Sequence, residues 1–206
     1  MNEEKLSLLQ RFVLWREKKI KDKHFVLILS FMVGILTALA ACLLKFLIEY
    51  VKHFLTENFD STGANWLYLV YPVVGIFLTG LFIRNVVRDD ISHGVTKILY
   101  AISRRQSRIK RHNTWSSLFA SAITIGFGGS VGAEAPIVYT GAAIGSNVAR
   151  YMGLSYKNMT ILLGCGAAGA VAGIFKAPLA GVLFTLEILL FNISMSSILP
   201  LLLSTI

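Results

Sequence analysis

Gly126-Phe-Gly-Gly-Ser-Val-Gly-Ala-Glu-Ala-Pro136 decides how this chain folds. The stretch is dense in glycine, carries one acid and ends on a proline. On either side lie apolar segments, Asn113 to Ile125 and Ile137 to Ala149, each too short for a full bilayer crossing of about 20 residues. The sequence therefore predicts two short helices with a break between them at membrane depth. Irregular backbone at that depth needs protein or water to satisfy its polar groups, and broken helices are how transporters and channels build ion sites. Pro136 suits the first turn of a helix, where no amide donor is required.

Glu134 is the only charged side chain between Thr114 and Ala149. A charge at mid-membrane costs on the order of 3 kcal/mol on insertion scales, so something must offset it. One reading makes it a carboxylate that occupies an anion site, held by the unpaired amides and partial positive charge of a helix start. It would leave on protonation or when an anion displaces it. The other makes it a structural carboxylate capping a helix at the boundary. The surrounding glycines, Gly132 among them, let backbone approach an ion closely and favour the first.

Working towards the N-terminus, Ser92-His93-Gly94-Val95-Thr96 opens a further short helix, Ser92 to Ser103. Ser92 is a candidate cap, and Ser92, His93 and the amides of Gly94 and Val95 are candidate anion ligands. Before it run two longer apolar segments. From Phe25 to Leu44 there is no charge at all, and the span continues to about Val51, longer than one membrane thickness, so tilt is expected. Lys45 and Glu49 are placed to pair on one face. The second span runs from Trp66 to Ile83, with Trp66, Tyr68 and Tyr71 as an interfacial aromatic belt.

Charge follows this layout. The 206-residue chain is 55% hydrophobic with a net charge of +9, and its cations sit in blocks flanking the apolar spans. One block is Arg11, Arg16, Lys18, Lys19, Lys21 and Lys23; the other includes Arg84, Arg88, Arg104, Arg105, Arg108, Lys110 and Arg111. The loop from Thr56 to Asn65 has Glu57 and Asp60 and no Lys or Arg. The positive-inside rule then puts the N-terminus in the cytoplasm. Residues 1–23 read as a cytoplasmic basic helix on the membrane surface, and 24–206 as a transmembrane anion-pathway domain. No aromatic-interleaved basic stripe reads nucleic acid, no nucleophile–base set points to an enzyme, and His24, His53, His93 and His112 lack metal-ligand spacing. No cofactor is expected. Cys42 and Cys165 fall in apolar runs and read as small buried thiols.

Towards the C-terminus, Ser155 to Phe175 is a small-residue helix in which Gly169 and Gly173, four apart, predict close helix packing. Lys176 is expected at a water-facing edge. Pro178 to Phe191 and Ile193 to Ile206 are further helices. Glu187 reads as a carboxylate that pairs or caps in a helix contact, with a place on a proton path as the sharper alternative. No internal repeat is visible, and the end at Ile206 reads as that of an incomplete chain.

Three motifs in this order resemble the CLC family of chloride channels and chloride/proton exchangers: Ser92-His-Gly-Val-Thr96, Gly132-Ala-Glu-Ala-Pro136, and Gly173-Ile-Phe-Lys-Ala-Pro-Leu-Ala-Gly-Val-Leu-Phe-Thr-Leu-Glu187. The third match is close and specific. The resemblance extends from about Phe25 to Ile206 and covers the first half of a family core. It implies an all-α, polytopic membrane fold of broken and tilted helices, the first half of an inverted repeat, assembled as a homodimer within membrane lipid. It implies chloride as transported ligand, Glu134 as gate, and anion-binding helix starts at Ser92 to Val95 and at Gly132, Ala135 and Ile137. The helices at Pro178 to Leu190 and Ser194 to Ile206 correspond to dimer-interface segments. The chain departs from the pattern at Thr96 (usually proline), at His93 (where many members carry the coordinating serine), at Ala133 and Ala135, and at Ile188. Proton-coupled members carry an inner glutamate at this last place, and isoleucine cannot relay a proton. The expected function is a chloride channel or chloride transporter of the cell membrane gated by Glu134. A chloride/proton antiporter, a transporter of another anion and a non-transporting membrane scaffold are the alternatives.

Overall fold

The computed structural model describes residues 22–56, 67–89, 94–188 and 195–206. In order these form α1 (Asp22–Thr56), α2 (Leu67–Phe82), α3 (Gly94–Arg104), α4 (Ser116–Gly126), α5 (Glu134–Tyr151), α6 (Tyr156–Phe175), α7 (Pro178–Ile188) and α8 (Met195–Thr205). A π-helical turn, Ile83–Val87, follows α2, and a single 3-10 turn, Arg111–Thr114, precedes α4. No strand occurs among the described residues.

Helix α1 has 35 residues, about 52 Å at 1.5 Å per residue, so it must tilt in a hydrocarbon layer of about 30 Å. One stripe, including Leu29, Val33, Thr37, Ala41 and Leu44, is buried at helical spacing. The opposite side is equally apolar but exposed: Phe31, Ile35, Leu39, Leu43 and Phe46. A soluble amphipathic helix would be polar there, whereas a helix apolar on every side belongs in lipid or in a larger protein's core. By length and composition α1, the segment Leu69–Val87 and α6 can each cross a membrane; α3, α4, α7 and α8, at 11 residues each, cannot.

Helix α6 is the centre, packed by α1, α5, α7 and α8, and Leu162 to Ala170 along it are buried. Small residues permit this density. A methyl group added at Gly166 would overlap the carbonyl of Gly141 on α5, and one at Gly145 would overlap that of Leu162. One at Gly169 would lie 2.5 Å from Thr37 Oγ1 and 2.8 Å from the Ser204 carbonyl oxygen, while Gly173 faces Ala41. The expected packing face at Gly169 and Gly173 is therefore turned to α1. Hydroxyls within these contacts satisfy themselves on their own helices: Thr37 donates to Gly34, Thr185 to Gly181 and Ser204 to Leu201, each at 2.8–2.9 Å. Thr140 on α5 is the exception, its buried hydroxyl having no partner among the described residues. An unsatisfied buried hydroxyl costs about 1–3 kcal/mol. We expect Thr140→Val to hold or raise the stability of the detergent-purified protein, by up to about 1 kcal/mol, read as an unchanged or higher thermal midpoint; a clear fall would mean that this hydroxyl is bonded.

Several expectations change. Lys45 does not pair with Glu49. Its Nζ donates to the Ile174 carbonyl at 2.9 Å, where a cation meets the negative end of α6. Lys176, the next residue but one, is exposed and ends α6 in the left-handed region at φ 55°. Cys165 is buried as expected, but Cys42 is exposed, because it lies off the α1 stripe that faces α6. Glu187 is exposed and pairs with nothing among the described residues. Helix α5 begins at Glu134 and not at Ile137, since a proline is tolerated anywhere in a first turn. Ahead of α4, Asn113 lies in the 3-10 turn.

Candidate functional site

The break between α4 and α5 turns at Gly128, whose φ of 86° suits glycine. Val131 N–H bonds back to the Gly129 carbonyl at 2.9 Å, and the chain enters α5 at Glu134. The glutamate is thus a first-turn residue. Its carboxylate folds back over Gly132, so that any side chain at Gly132 would collide with Oε2. That places the negative charge beyond the N-terminal end of α5, on the side where the helix's partial positive charge is felt. Two amides of this first turn, those of Glu134 and Ala135, have no backbone acceptor among the described residues, and Pro136 has no amide to offer. The carboxylate was expected to be held by such amides. Instead it is exposed and accepts no hydrogen bond from the described residues, leaving the helix start open.

A second helix start abuts the first. A methyl on Gly94, the opening residue of α3, would come within 2.7 Å of the Ala135 carbonyl oxygen and 3.3 Å of Tyr139 Cβ. Gly94 and Val95 are half-buried at this junction. Among the residues expected to bind an anion, the fold therefore brings together Gly94 with Ala135, next to Glu134 and Gly132. Ser92 and His93 lie outside the described residues. Ile137 is corrected: it is fully buried, and its amide already donates to the Ala133 carbonyl at 3.2 Å, so it has no donor to give. Glu187 belongs to α7, a different element, and Ile188 beside it packs on the core around α5 and α6.

Sequence reasoning missed Tyr139 and Asn113. Tyr139 is 5% exposed, and its hydroxyl accepts from Asn113 Nδ2 at 2.9 Å. Asn113 Oδ1 takes Ser116 Oγ at 3.4 Å, and Ser116 lies 3.3 Å from His112 Nδ1. His112 Nε2 is 3.0 Å from Asp89 Oδ2. A polar chain thus runs from the half-buried Asp89 to the ring packed on the Gly94 helix start. The signal in the sequence was slight: a polar Asn113 at the head of one predicted apolar segment and a tyrosine, Tyr139, within the other. No group of three or more metal-ligating side chains forms among the described residues.

Residues 75–206 match the model of the voltage gated chloride channel family. The chain belongs to that family. The match takes in both helix starts, Glu134 and the Gly173 to Glu187 stretch, so the resemblance carried by those motifs holds over most of the chain. A ClcB-like protein of Ralstonia nicotianae is 28% identical over 145 residues, 68% of this chain and 34% of that one. An H(+)/Cl(-) exchange transporter ClcA of Vibrio vulnificus is 27% identical over 172 residues, 79% of this chain and 36% of that one. The solved structure of a CLC-type fluoride/proton antiporter superposes with a TM-score of 0.72 at 26% identity, covering 88% of this chain and 44% of that one. The chain spans less than half the length of these chloride channel family relatives. The all-helical, polytopic membrane fold expected from the resemblance is that of the family.

Proposed function

We propose that this chain supplies the first half of a chloride pathway, a CLC-like channel or transporter of the cell membrane in which Glu134 gates access to the α5 helix start. The observation that carries this reading is the contact of two helix starts, at Gly94 and at Glu134, around the one acid of an otherwise uncharged stretch. Bare amides and a positive helix end select an anion, and a carboxylate folded over the same place is its natural competitor. Under this reading residues 1–23 are a cytoplasmic segment and 24–206 the pathway domain. Arg111 lies 4.6 Å over the Tyr151 ring at the C-terminal end of α5, and the loop that carries Arg105 and Arg108 is tied to Ser146 in the same half of that helix through the Ser107 carbonyl. Asp22 and Lys23 at the head of α1 share a surface cleft with Ser155 and Lys157. The positive-inside rule then assigns this end, and the N-terminus with it, to the cytoplasm. Leu179 and Leu183 on α7 and Leu199 on α8 are 59–71% exposed, and under this reading the two helices meet a second copy in a homodimer.

The ion selected is tested with the full-length protein in liposomes under a potassium chloride gradient. A reversal potential that follows chloride is the expected result. One that follows potassium would make Glu134 a cation ligand, and the absence of any ion flux would favour a scaffold. A coupled chloride/proton exchange is the second reading, favoured by the exposed carboxylate of Glu187, which has no partner among the described residues. Proton flux measured beside chloride flux separates the two.

A further inference from the structure

Below the junction of α3 and α5 lies a cavity of about 220 Å³, larger than a single halide needs. Its walls carry Lys97 from α3, Arg105 and Arg108 from the loop that follows, and Lys110, against Asp89, the one carboxylate among the described lining residues. That carboxylate is already engaged, with Lys110 Nζ at 2.7 Å and His112 Nε2 at 3.0 Å. Charges in a positive-inside loop are ordinarily just solvated. Here the loop is pinned. Gln106 and Ser107, between the two arginines, both lie in the left-handed region at φ 51° and 59°, a conformation that non-glycine residues keep only when their surroundings enforce it. Those surroundings are visible: Ser107 is fully buried, its hydroxyl lies 2.6 Å from Thr160 Oγ1, and its carbonyl accepts Ser146 Oγ at 2.6 Å. Ser146 Oγ also accepts the Ile109 amide at 3.0 Å. Arg105 is steadied further over the Tyr100 ring, 5.5 Å from its centroid. Two arginines flanking a fixed turn form the core of a preorganised site for an anion that has several oxygens, with Lys97 and the Asp89-paired Lys110 on the same wall. Guanidinium forks match phosphate oxygens in pairs, and a doubly charged phosphate group suits a site of several cations better than a monovalent sphere does.

We propose that this cavity binds a phosphate group, presented either by a soluble phosphate compound or by a phospholipid headgroup, at the basic end of the membrane domain. The proposal does not depend on Glu134 or on which ion is carried. Occupancy would tie α3 to the loop beside it, and so act on the helix whose start touches Ala135.

The test uses full-length protein in nanodiscs of neutral phosphatidylcholine, titrated with pyrophosphate. The expected result is saturable binding that weakens about tenfold or more in Arg105→Gln/Arg108→Gln, the loss of two charge-assisted contacts. Binding should change little in Arg104→Gln/Lys157→Gln, which removes the same charge outside the cavity. Repeating the titration in nanodiscs that contain phosphatidic acid identifies the source: pyrophosphate excluded there means a lipid headgroup, and pyrophosphate still bound means a soluble ligand. The proposal is overturned if wild-type protein binds neither probe saturably, or if the two double variants weaken binding equally. Glu134→Gln should bind pyrophosphate as wild type does, so this outcome is separate from that of the transport experiments.

Discussion

Gly166→Leu should abolish the folded state. The backbones of α5 and α6 touch at Gly141 and Gly166, and even a methyl at Gly166 would overlap the Gly141 carbonyl and press within 3.2 Å of the Gly145 amide nitrogen. These neighbours are backbone atoms inside helices and cannot turn aside as a side-chain tip would. The two helices would have to part, and with them the most extensive contact of the fold. Overpacking a core typically costs about 1–3 kcal/mol; because here a side chain would be driven into helix backbone that cannot move aside, a loss above about 4 kcal/mol is expected. In detergent this reads as a collapse in the yield of monodisperse full-length protein. Gly80→Ala is the matched control, because an added methyl there has nothing within 4 Å. Its yield should equal that of wild type. A normal elution profile for Gly166→Leu would mean that α5 and α6 do not pack through these glycines.

Glu134→Gln should raise chloride flux at neutral pH and flatten its dependence on external acid. Glutamine keeps the size and shape of the side chain over Gly132 and removes its charge. The field of a helix start is worth about 0.3–1 kcal/mol to an exposed anion and up to about 2 in partly buried geometry. Glu134 is exposed, so removing the competing carboxylate should shift occupancy by the permeant anion by about two- to fivefold. Glutamine carries no charge at any pH, so no acid dependence from this side chain remains in the variant. Flux assays in liposomes at several external pH values read both effects. An unchanged rate with an unchanged pH profile would remove Glu134 from the gate.

Much of this architecture could be read from punctuation in the sequence. Pro178 opens α7, the glycine run from Gly126 to Gly132 separates α4 from α5, and Gly169 with Gly173 announces a close helix face; each acts through its own backbone or its lack of a side chain. The three motifs also revealed the family. What could not be read depends on which distant residues meet. Lys45 and Ile174 are 129 positions apart, and only the fold tells the lysine that a helix end is nearer than Glu49. Cys42 is as apolar in context as Cys165, yet it lies off the stripe of α1 that faces α6. Tyr139 and Asn113 are 26 positions apart, and only the fold brings the amide to the phenol hydroxyl. The family resemblance implied Ile137 as a donor at the start of α5. Starting the helix at Glu134 moves Ile137 one step too far along, to the first amide that already has a partner.

The central claim is that a permeant anion and the Glu134 carboxylate share one place at the start of α5. Anomalous diffraction from bromide-soaked crystals of the full-length Glu134→Gln protein tests it directly. The account predicts a bromide peak within hydrogen-bonding distance of the residue 134 and Ala135 amides, weaker or missing in wild type at neutral pH. Bromide found elsewhere along the pathway, with those amides bonded to protein in both crystals, would contradict it.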